Sequence, residues 1–345
     1  MKFQLKKISE QVIVITGATS GIGLTTARKA AERGAKLVLV ARNEDALRQL
    51  TFELAKRGCE AIHVVADVGI EEDVRKVAQA AIDRFGDFDT WVNNAGVSIF
   101  GRYEDISMED QRRLFLTNFW GVVHGSLIAA KHLKERGGTI VNLGSEVSDH
   151  ALPLQGMYAA SKHAVKGFTD SLRMELEAEG APVAVTLIKP AAVDTMFVEH
   201  AKNYMDVEPR LPPPIYAPDV AADAILHAAE HFKRDIFVGG TAKMASSTAH
   251  YVPRAMDSYA RRFLFRLQRS GMAAKDRSLN SLHHPGTDLQ ERQGMAGPVF
   301  ESSLYTRVTM HPRITTAFFV GIAGVGFALA AWWRRRAQPP RLRTG

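Results

Sequence analysis

Apolar residues fall in short, nearly unbroken runs at 12–16, 36–40, 61–66, 90–93, 139–143, 183–188 and 235–238. Each run is too short for a helix and is rich in Val, Ile or Leu, so each predicts a strand buried on both faces. Between them, near 22–33, 44–57, 71–85, 107–134, 157–179 and 218–232, lie amphipathic stretches of helical character. Strands alternating with helices imply a parallel sheet covered on both sides. The right-handed crossover rule then gives a doubly wound, Rossmann-type α/β sheet of about seven strands, with ligands at the carboxyl ends of the strands. Residues 1–245 are expected to form this one domain.

After that the rhythm stops. Residues 254–269 predict a basic amphipathic helix, with Met256, Tyr259, Ala260, Phe263, Leu264 and Leu267 on one face and Arg261, Arg262, Arg266 and Arg269 largely on the other. Such a helix can lie in a membrane interface, or close over the α/β domain or a second subunit; amphipathicity alone does not choose. Residues 271–312 are polar with scattered Gly and Pro, which predicts a linker or loop within an extension spanning 246–313. The run 314–333 carries no charge. At ~1.5 Å per residue such a helix spans ~30 Å, the thickness of a bilayer's hydrocarbon core, so a single transmembrane helix is expected. Trp332 and Trp333 stand where interfacial anchors belong, and Arg334 opens a basic tail over 334–345. Ala317, Gly321, Gly324, Ala328 and Ala331 recur at helical spacing and offer a surface on which two such helices could pair in a homo-oligomer.

Composition adds limits. With 46% hydrophobic and 23% charged residues the chain is globular rather than disordered. The net charge of +7 is concentrated in the last quarter, beside apolar segments, which points to a membrane surface and not to nucleic acid. The stretch 1–10 is charged and the run after it ends in a glycine turn, so a first strand is expected there and no secretory signal. More arginines follow 314–333 than precede it, which by the positive-inside rule would place the tail in the cytoplasm. Without an export signal the favoured expectation is instead an α/β domain facing the cytoplasm on a C-terminal anchor. The single cysteine, Cys59, excludes an intrachain disulfide and a cysteine-cluster metal site, and no metal is expected.

The candidate chemistry begins with Thr16-Gly17-Ala18-Thr19-Ser20-Gly21-Ile22-Gly23, directly after a strand and opening a helix. Glycines there allow a tight turn and close approach of backbone to a pyrophosphate, and the helix N-terminus offers N–H donors. At the end of the second strand a carboxylate would bind the ribose hydroxyls of NAD; here Ala41-Arg42 follows, and Arg42 offers a fork for the 2′-phosphate of NADP. Tyr158 and Lys162, four apart, share one helix face. A neighbouring ammonium would favour the phenolate of a tyrosine whose unperturbed pKa is ~10.

In this order the motifs resemble the short-chain dehydrogenase/reductases over residues 11–240, some two thirds of the chain. In that resemblance Asp67-Val68 is the pair at the adenine, and Asn93-Asn94-Ala95-Gly96 ends the fourth strand with Asn94 at the cofactor. Asn118, Ser145, Tyr158 and Lys162 form the catalytic tetrad. The resemblance implies that Tyr158 is general acid in reduction and general base in oxidation, and that Lys162 lowers its pKa and bonds the nicotinamide ribose. Ser145 holds the substrate oxygen and Asn118 supports a water in a proton relay. Pro190, Val193 and Thr195 follow the sixth strand as nicotinamide contacts, although Ala191 and Gly144 stand where the family often has Gly and Ser. The loop 196–218, with Phe197, Tyr204, Met205, Leu211, Ile215 and Tyr216, predicts either a lipophilic carbonyl or alcohol substrate or a lid packed on the protein itself. Two rivals to an NADP-dependent oxidoreductase stand beside it: a dinucleotide sensor without turnover, and a membrane scaffold acting through its tail.

Overall fold

The computed structural model describes residues 4–276, 280–286, 289–295 and 297–311. Residues 1–306 form one compact unit and 307–345 a second. The extension expected from 246 onward therefore begins inside the first unit. The expected transmembrane helix 314–333 and tail 334–345 lie outside the described residues, among which no helix is long and apolar enough to cross a membrane.

All seven predicted runs become strands of one parallel sheet: β1 Val12–Thr16, β2 Lys36–Ala41, β3 Ala61–Val65, β4 Thr90–Asn93, β5 Gly138–Leu143, β6 Val183–Pro190 and β7 Asp235–Val238. Their order across the sheet is β3-β2-β1-β4-β5-β6-β7. The order reverses at β1, so the crevice between the ends of β1 and β4 is the place for a ligand. Val14, Val38 and Val40 face one helical layer, where they meet Val74, Val77 and Ala81 of α3 (Glu71–Phe85). Their neighbours Ile13, Ile15, Leu37 and Leu39 are equally buried. Burial on both faces is why these runs show no alternation.

α1 (Gly21–Glu32) and α2 (Glu44–Lys56) connect the first three strands. The long stretch near 107–134 is not one regular helix. It is α4 (Met108–Phe115), a π turn at Leu116–Trp120, and α5 (Gly121–Leu133). The turn places Thr117 and Asn118, weak helix formers whose side chains compete for backbone partners, at its centre. α6 (Gly156–Ala178) carries Tyr158 and Lys162.

The basic stretch predicted as one helix over 254–269 is helical without a break over 253–267, but not regular. It runs as a helix at Pro253–Tyr259, a π turn at Ala260–Leu264 and a single helical turn at Phe265–Leu267. Arg269 instead starts a strand, Arg269–Ala273, antiparallel to Val207–Pro209. Leu264 is buried with Val147, Leu152 and Ala159, and Ala260 and Leu267 pack on the same cluster, so this face closes over the α/β domain. Tyr259 and Phe263, assigned to that face from sequence, are exposed.

The described part of the expected linker is likewise folded onto the domain. Val299–Phe300 pairs with Ile215–Tyr216, and Leu282 is wholly buried with Val97, Ile99, Ile106 and Leu114.

Candidate active site

The glycine turn follows β1 and opens α1, as its sequence requires. A Cβ on Gly23 would lie 2.0 Å from the Gly17 carbonyl oxygen, so only glycine lets the turn fold this tightly. Asn94, at the end of β4, fastens the turn: its amide Nδ2 donates to the carbonyls of Thr16 (2.9 Å) and Gly17 (3.1 Å). Thr195 packs its side chain against Gly21 from beyond β6. Ala191 has no left-handed backbone conformation, so alanine fits where the family often carries glycine. Gly144 has its own reason, because a Cβ there would meet Ser148 Oγ at 2.9 Å and Leu187 at 3.0 Å.

Two contiguous cavities share Gly17, Ser20, Ala95, Gly96, Val97 and His200. The larger brings together Gly21, Ile22, Asn94, Ser145, Tyr158, Lys162, Pro190, Val193 and Thr195. The smaller is lined by Thr19, Arg42, Asp67 and Val68. Of the residues singled out from sequence, Gly23 and Asn118 stand outside both linings. Gly23 shapes the turn from behind. Asn118 is fully buried and exchanges hydrogen bonds with the Val97 backbone (2.8 and 2.9 Å), with a further bond to Ser161 Oγ (3.2 Å). Its side chain thus positions the loop after β4.

Tyr158 hydrogen-bonds Ser145 and packs edge-on against Phe197, ring centroids 5.2 Å apart. Lys162 Nζ donates to the Leu143 carbonyl (2.7 Å) and lies 5.8 Å from the Tyr158 ring centroid. Burial pushes the Tyr158 phenol up to about 12, against the Ser145 hydrogen bond and with the Glu146 charge adding to it. Burial also brings Lys162 down to about 8, and its ammonium is turned toward a backbone carbonyl. Tyr158 is therefore a phenol at neutral pH, the form that donates a proton.

Sequence reading missed Glu146. It lines the larger cavity beside Ser145, and burial raises its carboxyl to about 7. Its place one residue after the candidate serine was the available signal. Arg42 lines the smaller cavity as expected, but its guanidinium is engaged. Nη1 donates to the Leu282 carbonyl (3.3 Å) and Nη2 to the carbonyls of His284 (3.0 Å) and Ser281. These acceptors belong to the stretch read as linker, whose polar composition gives no sign of the contact.

The larger cavity is walled by Val147, Leu152, Met196, Phe197, Leu211 and Pro212 around Tyr158. Tyr204, Met205, Ile215 and Tyr216 are outside that lining; Tyr204 donates to Asp110 Oδ2 (2.6 Å) and the other three are buried. The loop 196–218 is thus part cavity wall and part packing.

The short chain dehydrogenase family model matches residues 11–205. The uncharacterized oxidoreductase YxnA of Bacillus subtilis (strain 168) is 47% identical over 324 residues, 93% of this chain and 91% of that protein. The 11-beta-hydroxysteroid dehydrogenase-like 4A of Arabidopsis thaliana is 39% identical over 191 residues, 55% of this chain and 63% of that protein. A short chain dehydrogenase/reductase from Burkholderia phymatum in complex with NAD matches with a TM-score of 0.65 at 28% identity, covering 74% of this chain and 96% of that one. An alcohol dehydrogenase from the archaeon Thermococcus sibiricus complexed with 5-hydroxy-NADP matches with a TM-score of 0.58 at 30% identity, covering 66% and 95%.

Proposed function

The chain belongs to the short chain dehydrogenase family of oxidoreductases, and on that premise we propose that it interconverts a carbonyl and an alcohol on a lipophilic substrate, with NADP as its preferred cofactor. The observation that carries this reading is the meeting of Ser145, Tyr158 and Lys162 in a cavity continuous with the glycine turn.

The cradle fits a nicotinamide dinucleotide: Gly23 has no room for a side chain, and the cavity that begins at the turn continues past Asp67 and Val68. Gly17, Thr19, Ser20, Gly21 and Ile22 would hold the phosphates, Asp67 and Val68 the adenine side, and Asn94, Pro190, Val193 and Thr195 the nicotinamide side. The cofactor supplies or accepts hydride when bound. Tyr158 then gives its hydroxyl proton to the substrate oxygen in reduction and takes it back in oxidation. Ser145 donates to the same oxygen, and Lys162 would hydrogen-bond the nicotinamide ribose beside Tyr158. Asn118 holds the Val97 backbone at the wall of both cavities, as a positioning residue.

Three finer points rest on separate support. NADP is favoured because no carboxylate ends β2 and Arg42 stands at the smaller cavity. A lipophilic substrate is favoured by the apolar wall from Val147 to Pro212, and a relative's name refers to a hydroxysteroid. Membrane attachment with the catalytic unit facing the cytoplasm is favoured by the uncharged run 314–333. Exposed Tyr251, Tyr259 and Phe263 beside exposed Arg254, Arg261 and Arg262 add to it.

The test is a panel of steroid-like, retinoid-like and long-chain ketones and alcohols with the purified full chain, followed by NADPH absorbance and repeated with NADH. Turnover that vanishes in Tyr158→Phe supports the reading; a strong preference for NADH overturns the role of Arg42. Removing residues 310–345 should release a soluble, active reductase. Loss of all function with cofactor binding intact would favour the scaffold reading instead.

A further inference from the structure

The smaller cavity has a wall that the α/β domain does not supply. Ser281, Pro285 and Gly286 line it together with Asp67 and Val68. These residues come from the extension, and their attachment is specific. The Leu282 carbonyl accepts from two guanidinium groups, Arg113 Nε (3.0 Å) and Arg42 Nη1 (3.3 Å), while the Leu282 side chain is wholly buried. His283 Nε2 lies 2.6 Å from Asp110 Oδ1, and Asn43 donates to the Gly286 carbonyl (2.8 Å).

A second stretch grips the glycine turn itself. The Leu289 N–H donates to the Thr19 carbonyl (2.8 Å), and the Gly21 N–H donates to the Gln290 carbonyl (3.0 Å). Glu291 pairs with Arg28 of α1 (2.6 Å). Leu289 sits at φ 75°, a left-handed conformation that a leucine adopts only at a cost, so this docking is held by its surroundings.

We propose that the stretches 280–286 and 289–295 form a strap that completes the dinucleotide site and sets how fast the cofactor leaves it. The strap crosses the two places where a dinucleotide must be held, the turn at Thr19–Gly21 and the cavity beside Arg42. A dinucleotide lying from one cavity to the other is covered on the side of the smaller one, and its exit requires these contacts to break. Apart from Leu282 and Met295 they are hydrogen bonds and the Arg28–Glu291, Arg292–Asp219 and His283–Asp110 pairs, whose side chains are partly exposed except Asp110, so the strap opens without unfolding the sheet.

The inference rests on dinucleotide binding alone, and the experiment reads binding and release without turnover. Stopped-flow fluorescence of the full chain follows NADPH and NADH leaving the protein. Leu282→Asp puts a charge into an apolar cluster and should speed release of both at least tenfold. His283→Ala combined with Glu291→Gln, which leaves the core intact, should speed it about threefold. Independently, trypsin cleavage after Arg292, within the strap, should slow at least fivefold in saturating NADPH. Release rates unchanged in both variants would overturn the proposal, as would cleavage at Arg292 indifferent to cofactor. A protein that shows strap-dependent release but turns over no carbonyl would sink the proposed function and leave the strap standing.

Discussion

The glycine turn is held from two sides, and the two holds differ in kind. From below, Asn94 binds the carbonyls of Thr16 and Gly17 from the end of β4, between strands that are buried on both faces. From above, Leu289 and Gln290 meet Thr19 and Gly21 through two backbone hydrogen bonds, and the nearby Arg28–Glu291 pair is a quarter exposed. The floor is part of the cooperative core, so moving it means unfolding the unit. The strap is tied by separable contacts and belongs to the low end of local stability. A site built this way can keep its catalytic groups fixed while its cover exchanges cofactor.

The sharpest way to test the floor is at its chemistry. Tyr158→Phe removes the proton that the substrate oxygen needs and little else, since the ring and its contact with Phe197 remain. It should lower kcat by about 10²- to 10⁴-fold, the usual contribution of a positioned acid or base. NADPH affinity and cleavage at Arg292 should stay within threefold of the parent. A variant that lost cofactor affinity in parallel would show that floor and cover are not separable.

Gly23→Ala attacks the floor's shape. Its Cβ would stand 2.0 Å from the Gly17 carbonyl oxygen, so the turn must move. Overpacking of this sort costs typically ~1–3 kcal/mol, and the displaced amides should also abolish dinucleotide binding. Thermal unfolding with and without NADP reads both: a lower Tm, and no shift on adding cofactor. A normal ligand-induced shift would mean that the turn is softer than its packing indicates.

The same contrast explains what was legible in the sequence. Strands such as Val12–Thr16 and Thr90–Asn93 declare themselves because burial on two faces requires unbroken apolar runs. Tyr158, Lys162 and Ser145 are legible because their spacing is set within regular elements. The π turn around Asn118 is not, since it spans only five residues and no residue type demands it. The strap is not legible either. Many of its acceptors are backbone carbonyls, which every sequence possesses, and its apolar anchors, Leu282 and Met295, are isolated within a polar run. Arg42 was found for its charge, while the carbonyls it serves came from residues 240 positions away.

Arg42 therefore stands where floor and cover meet, and Arg42→Ala sharpens the comparison. Charged hydrogen bonds of this type contribute about 1.5–3 kcal/mol, so NADPH affinity should fall by roughly ten- to a hundredfold. If the 2′-phosphate is its main partner, NADH affinity changes less than threefold. Equal losses for both cofactors, with faster cleavage at Arg292, would assign the guanidinium to the strap instead.

The smallest expected effect concerns Glu146, a carboxyl that the floor holds in an unfavourable state. Its folded pKa of about 7 lies above the ordinary value of 4.5, because burial disfavours the charge. Between these two values the folded protein keeps a proton that the unfolded chain has released. Folding stability therefore falls as pH rises through that window, and the loss is complete above about 7. Glu146→Gln keeps the shape and removes the titration. Its Tm should equal that of the parent near pH 4.5 and exceed it at pH 8. The cleft admits solvent, so the gain is discounted to ~1–2 kcal/mol, a few degrees for a unit of this size. The charge of Glu146 also raises the Tyr158 phenol, so the same variant should move the alkaline limb of the reduction rate to lower pH. A Tm difference that stays flat from pH 4.5 to 8 would show that water reaches the carboxyl freely, and that this part of the floor is as open as the strap above it.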